Sequence, residues 1–202
     1  MLVLGQSNVA NHGERREASE FGRVLHNGGY QPLTDPVIGG TGDGGSVWTR
    51  FANKAERAGI CDDLIISLRA SSGTSMADWS VGGKCLRELE ESLPMTMSCA
   101  VPVTHVVFHQ GERDSLLGTE KSDYIKQFSG LYQTLRRALP EPAWIFCRAT
   151  FRMGVSSGVI RSAQEEIIAK YPDIIPGPDT DEFGEDYRID GTHFNVKGLD
   201  AF

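Results

Sequence analysis

The sequence predicts an α/β protein: a three-layer α/β/α sandwich around a five-stranded parallel sheet. Two observations carry this. Short apolar, β-branched runs recur along the chain, and amphipathic helical stretches separate them. Strands alternating with helices build βαβ units, which pair their strands in parallel. A third agrees: the strongest run, VPVTHVVFHQ, is nearly continuous in apolar residues, as a strand buried on both faces should be.

The strands are expected at MLVL (1–4), at DPVIG (35–39, the weakest), at DDLIISLRA (62–70), at VPVTHVVFHQ (101–110) and at AWIFCRAT (143–150). SVWTRFANKAERAG (46–59) reads as a helix ended by glycine, a residue suited to the left-handed stop. SDYIKQFSGLYQTLRRALP (122–140) puts Tyr124, Ile125, Phe128, Leu131, Tyr132 and Leu135 on one face, and Pro140 ends it. VIRSAQEEIIAKYP (159–172) aligns Ile160, Ala163, Ile167 and Ile168, and HFNVKGLDAF reads as a helix only beginning. No repeat, low-complexity tract or linker interrupts the pattern, so one domain over 1–202 is expected.

Composition narrows the function. The chain has 202 residues, 40% of them hydrophobic and 23% charged, an ordinary balance for a chain that buries its own core. No apolar run approaches the roughly 20 residues of a membrane helix, so no membrane partner is expected. A net charge of -7 and the lack of any Lys/Arg block argue against nucleic acid. Cys61, Cys85, Cys99 and Cys147 show no CxxC spacing, so they read as buried structural thiols rather than zinc ligands or a disulfide framework. No signal peptide precedes the first strand, and secreted and cytoplasmic settings both stay open. Glycine is enriched, 23 residues, and clusters in GGTGDGGS and SSGTS, where backbone can approach a ligand closely.

Four segments carry candidate chemistry. Ser7 follows the first strand in GQSN, where it serves as a cap or as a nucleophile at the carboxyl edge of the sheet. HQGERD (109–114) emerges from the strongest strand. RIDGTHFN (188–195) holds Asp190 and His193 three residues apart around Gly191. GGTGDGGSVW (39–48) is a glycine-rich loop ahead of a possible cap at Ser46. Together they fit one mechanism. A serine needs a base, which His193 supplies; a carboxylate must hold that base, and Asp190 is close enough in sequence. Acyl transfer also needs donors for an oxyanion, and glycine N–H groups and the Gln110 amide are suitable.

These blocks resemble SGNH hydrolases: GQSN at 5–8, GDGGSVW at 42–48, HQGERD at 109–114 and DGTHF at 190–194. More narrowly they resemble the sialate O-acetylesterase-like branch with its carbohydrate esterase family 6 acetylxylan esterases. GTSMADW (73–79) and RSAQ (161–164) are similar to two further segments of that branch. The resemblance implies a flavodoxin-like fold with Ser7 as nucleophile, His193 as general base and Asp190 as its partner. It also leaves Glu112 as a second candidate acid. The implied oxyanion hole is the Ser7 N–H, a glycine of the second block (Gly42 or Gly44) and Gln110. Asn8 and His109 would support the loops. Arg113 stands where relatives often carry a small residue, and Val9 where methionine is common.

The activity implied is hydrolysis of an O-acetyl ester on a carbohydrate, with no metal or cofactor. Two rivals share the motifs: transfer of acetyl to a second sugar, and a carbohydrate-binding module without turnover. Trp48 and Trp79 are read as core residues rather than a platform for a sugar. The sequence leaves the particular sugar and the oligomeric state open.

Overall fold

A computed structural model describes residues 1–99 and 101–202. The first half of the chain runs β1 (Leu2–Gly5), β2 (Ala18–His26), β3 (Gly29–Thr34), α1 (Val47–Arg57), β4 (Leu64–Ala70), α2 (Met76–Trp79) and α3 (Lys84–Met97). The second half runs β5 (His105–His109), α4 (Glu112–Leu117), α5 (Lys121–Ala138), β6 (Ala143–Arg148), α6 (Gly158–Lys170), β7 (Ile174–Asp179) and α7 (Val196–Ala201).

The sheet has seven strands, not five, in the order β3-β2-β4-β1-β5-β6-β7. All neighbours pair in parallel except the β2–β3 hairpin. That hairpin turns at Asn27-Gly28, both with positive φ (48° and 76°), the backbone that Asn-Gly adopts in a tight hairpin turn. The strand expected at 35–39 is absent. There the buried amide of Asn11 takes over the Val37 backbone, accepting from its N–H at 2.7 Å and donating to its carbonyl at 2.9 Å. Only Gly40 bridges to Ala70 of β4.

Three layers follow from the alternation of side chains across the sheet. In β1, Leu2 and Leu4 face the side packed by α2, α3, α5 and α6, and Val3 faces the side packed by α1 and α7. All three are fully buried, which contributes about 1.5–3 kcal/mol for each leucine. On the first side Phe108, Phe128, Trp144 and Phe146 interlock edge-on or tilted, with ring centroids 5.0–5.8 Å apart. Trp48 and Trp79 belong to the core. Their indole N–H groups donate to Val9 O at 2.7 Å and Thr74 Oγ1 at 3.2 Å, so neither pays for an unpaired buried donor. Cys85 and Cys147 are buried as expected, but Cys61 and Cys99 are only half-buried. Burial pushes the Cys85 and Cys147 thiols up to about 11 and about 12. Among the described residues no helix is long and apolar enough to cross a membrane.

Candidate active site

The chain passes from β1 to β2 and β4 on one side, then crosses to β5 on the other. A crevice opens at the carboxyl ends of strands where the order reverses in this way. A cavity of about 310 Å³ lies there, lined by Gln6 and Ser7 after β1, Ser72 and Gly73 after β4, Glu112 and Arg113 after β5, and Arg152 and Met153 after β6. Asp190, Thr192 and His193 complete it. Ser7 opens a single 3-10 turn, Ser7–Val9, whose end is closed by the Ala10 N–H donating to Ser7 O.

Asp190 and His193 form one unit. Asp190 Oδ2 lies 2.7 Å from His193 Nδ1, and Oδ1 accepts the backbone N–H groups of Thr192 (2.9 Å) and His193 (2.7 Å). Burial works against the charged carboxylate, but these bonds outweigh it and hold Asp190 below its ordinary range. A carboxylate only accepts, so Nδ1 carries a proton towards it, and in the neutral ring that leaves the lone pair on Nε2. The loop is held from beneath: Arg188 Nη1 donates to Thr192 O at 2.7 Å, and the Arg188 guanidinium lies 4.3 Å from the Phe194 ring centroid. His12 stacks on His193, ring centroids 5.2 Å apart.

Glu112 does not reach His193 with a hydrogen bond. It is almost fully buried, and its Oε1 accepts from Asn8 Nδ2 at 2.8 Å. The same Asn8 amide donates to Thr192 O at 3.2 Å, so Asn8 ties the Ser7 turn to both Glu112 and the histidine loop. His109 is fully buried, its Nε2 3.0 Å from Thr180 Oγ1, and desolvation lowers its pKa below the ordinary histidine value.

Three expected oxyanion residues lie elsewhere. Gly44 donates its N–H to Asn11 O at 2.7 Å, and Gly42 packs so tightly on Asn11 that a Cβ there would come 2.4 Å from its carbonyl. Neither lines the cavity; the GGTGDGGS loop instead leads to the Ser46 cap of α1. The glycine that does line it is Gly73. Gln110 is completely buried, its amide nitrogen turned to Asp114 Oδ2 and to Thr74 O at 3.1 Å. It is a strut beneath the site because its donors are already used.

RSAQ also acts from beneath. Gln164 donates to Gln110 O at 3.0 Å and Ala149 O at 3.1 Å, and accepts from Ala149 N. Arg161 bonds Asp179 and Asp181, and Asp181 accepts the Thr150 and Phe151 N–H groups. These bonds fix the segment that delivers Arg152. Sequence reasoning missed Gln6, Ser72, Gly73, Arg152, Arg188 and His12. Gln6 in GQSN, Ser72 and Gly73 in SSGTS and Arg188 in RIDGTHFN lay inside segments the sequence marks, whereas His12 and Arg152 carried no such signal.

A mostly parallel sheet with helices on both faces and this crevice is the fold of SGNH hydrolases. Residues 1–200 match the family described as "Carbohydrate esterase, sialic acid-specific acetylesterase", and the chain belongs to that family. It is thus an esterase-class hydrolase. No curated protein matches it in sequence. Among solved structures it is similar to a protein from Arabidopsis thaliana (TM-score 0.77, 17% identity, 99% of this chain and 92% of that one). It is also similar to a carbohydrate acetylesterase from Xanthomonas citri (TM-score 0.62, 14% identity, 99% of this chain and 53% of that one). A family two carbohydrate esterase from Clostridium thermocellum gives a TM-score of 0.51 at 17% identity, over 88% of this chain and 53% of that one.

Proposed function

We propose that the chain is a serine esterase that removes O-acetyl groups from a carbohydrate through an acetyl-serine intermediate. The observation that carries this reading is one cavity lined by Ser7 and by a histidine whose Nδ1 is held 2.7 Å from a carboxylate.

Ser7 Oγ attacks the acetyl carbonyl carbon as its proton passes to His193 Nε2. The carbonyl electron pair moves onto oxygen, where backbone donors stabilise it. Collapse breaks the bond to the sugar oxygen, which takes the proton from His193 and leaves acetyl-Ser7. Water then repeats the attack, giving its proton to Nε2, and acetate departs with Ser7 restored. Asp190 keeps the proton on Nδ1 and offsets the imidazolium charge. The N–H groups of Ser7 and Gly73 are two oxyanion donors: both residues line the cavity, and neither N–H bonds to another described residue.

Arg113 and Arg152 favour an acidic sugar. Both line the cavity, and among the described residues neither side chain makes an ion pair or hydrogen bond. Guanidinium groups suit a carboxylate, in keeping with the sialic acid named for the family.

The test is acetate release from acetylated sialic acid and acetylated xylan, wild type against Ser7→Ala. Release that disappears in the variant supports the reading; equal release from both would end it.

A further inference from the structure

We infer that the side-chain amide of Gln6 is the third oxyanion donor, the role the motif reading gave to Gln110; this rests on the serine-esterase reading above. Gln6 immediately precedes Ser7, is almost fully buried and lines the same cavity. Its Oε1 faces three donors at 3.4 Å each: Gln110 Nε2 and the backbone N–H groups of Gly111 and Arg113. Backbone N–H groups only donate. Turning the Gln6 amide over would set N–H against N–H, so chemistry fixes the oxygen inward.

The nitrogen therefore points the other way. Gln6 Nε2 bonds to no described group, yet it is not among the buried polar atoms sealed off without a partner. Its N–H groups open into the cavity beside Ser7, where negative charge develops on the acetyl oxygen. Behind it the two N–H groups of Gln110 are shared among Asp114 Oδ2, Thr74 O and, at the longest distance, Gln6 Oε1, so Gln110 helps to keep the Gln6 oxygen turned inward. Asp114 is itself anchored by Met76 N and Thr119 Oγ1, both at 2.7 Å. The motif residue Gln110 thus stands behind Gln6 as a support for its orientation.

The experiment compares Gln6→Met, which keeps length and removes the donor, and Gln6→Glu, which keeps the inward acceptor. Acetate release from an aryl acetate is measured beside inhibition by methylboronic acid, whose serine adduct mimics the tetrahedral intermediate. The expected result is a fall in kcat of about 10²–10³ with KM changed less than about threefold, and boronate affinity lowered in parallel in each variant that folds. Unchanged kcat and boronate affinity in either folded variant would overturn the proposal. So would a loss confined to KM. Ser7→Ala serves as the separate control. Wild-type rates surviving in Ser7→Ala would refute the serine mechanism itself, whereas a dead Ser7→Ala beside a fully active Gln6→Met would refute only the role of Gln6.

Discussion

Asp190 grips His193 twice, through Oδ2 to the imidazole Nδ1 and through Oδ1 to the backbone nitrogen, each at 2.7 Å. The histidine's tautomer and the position of its chain are thus set by one side chain. Glu112, the rival acid, is committed to Asn8 instead.

The two carboxylates should therefore separate by mutation. Asp190→Asn is expected to lower kcat by about 10³-fold or more, because an amide can present the wrong group to Nδ1. Glu112→Gln is expected to spare most turnover and to cost stability instead, about 1–3 kcal/mol for a disturbed buried partner. Steady-state kinetics and urea unfolding of both variants check this, and a larger kcat loss from Glu112→Gln would reverse the assignment.

Acid should weaken the fold through His109. Its folded-state pKa is lowered, first by desolvation, so the unfolded chain takes up a proton that the folded chain refuses. The unfolded state binds more protons as pH falls below the ordinary histidine value of 6.5, and stability is lost across that window. Above it the contribution is fully present. The urea midpoint is expected to fall between about pH 7.5 and about pH 5, and more shallowly in His109→Asn. Parallel slopes in the two proteins would remove His109 from the account.

Arg113 and Arg152 should set substrate preference. Each Ala variant is expected to raise KM for an acetylated acidic sugar about three- to tenfold, a modest effect because Arg152 is exposed. KM for a neutral acetylated sugar should stay within about twofold. Equal changes for both substrates would make the arginines structural.

Much of this architecture was legible in the sequence, and the failures share physical causes. β3 and β7 sit at the two sheet edges and contain Pro32, Pro176 and Pro178. Proline is tolerated at edges but hides the strand pattern. The β2–β3 hairpin had a readable sign in Asn27-Gly28. α3 buries Leu86, Leu89 and Leu93 on a helical spacing, yet Pro94 in its last turn masks it. In the site, Ser7, Asp190 and His193 were visible because side-chain chemistry and a three-residue spacing mark them. Backbone donors carry no such mark. Choosing between Gly42, Gly44 and Gly73, or between Gln110 and Gln6, depends on which polar groups are already bonded, and tertiary packing decides that.

The whole mechanism turns on Ser7 as the nucleophile activated by His193. Labelling with a fluorophosphonate, followed by peptide mass spectrometry, tests it most directly. One adduct is expected, on Ser7, absent in Ser7→Ala and formed far more slowly in His193→Ala. An adduct on another residue, with acetate release intact in Ser7→Ala, would contradict it.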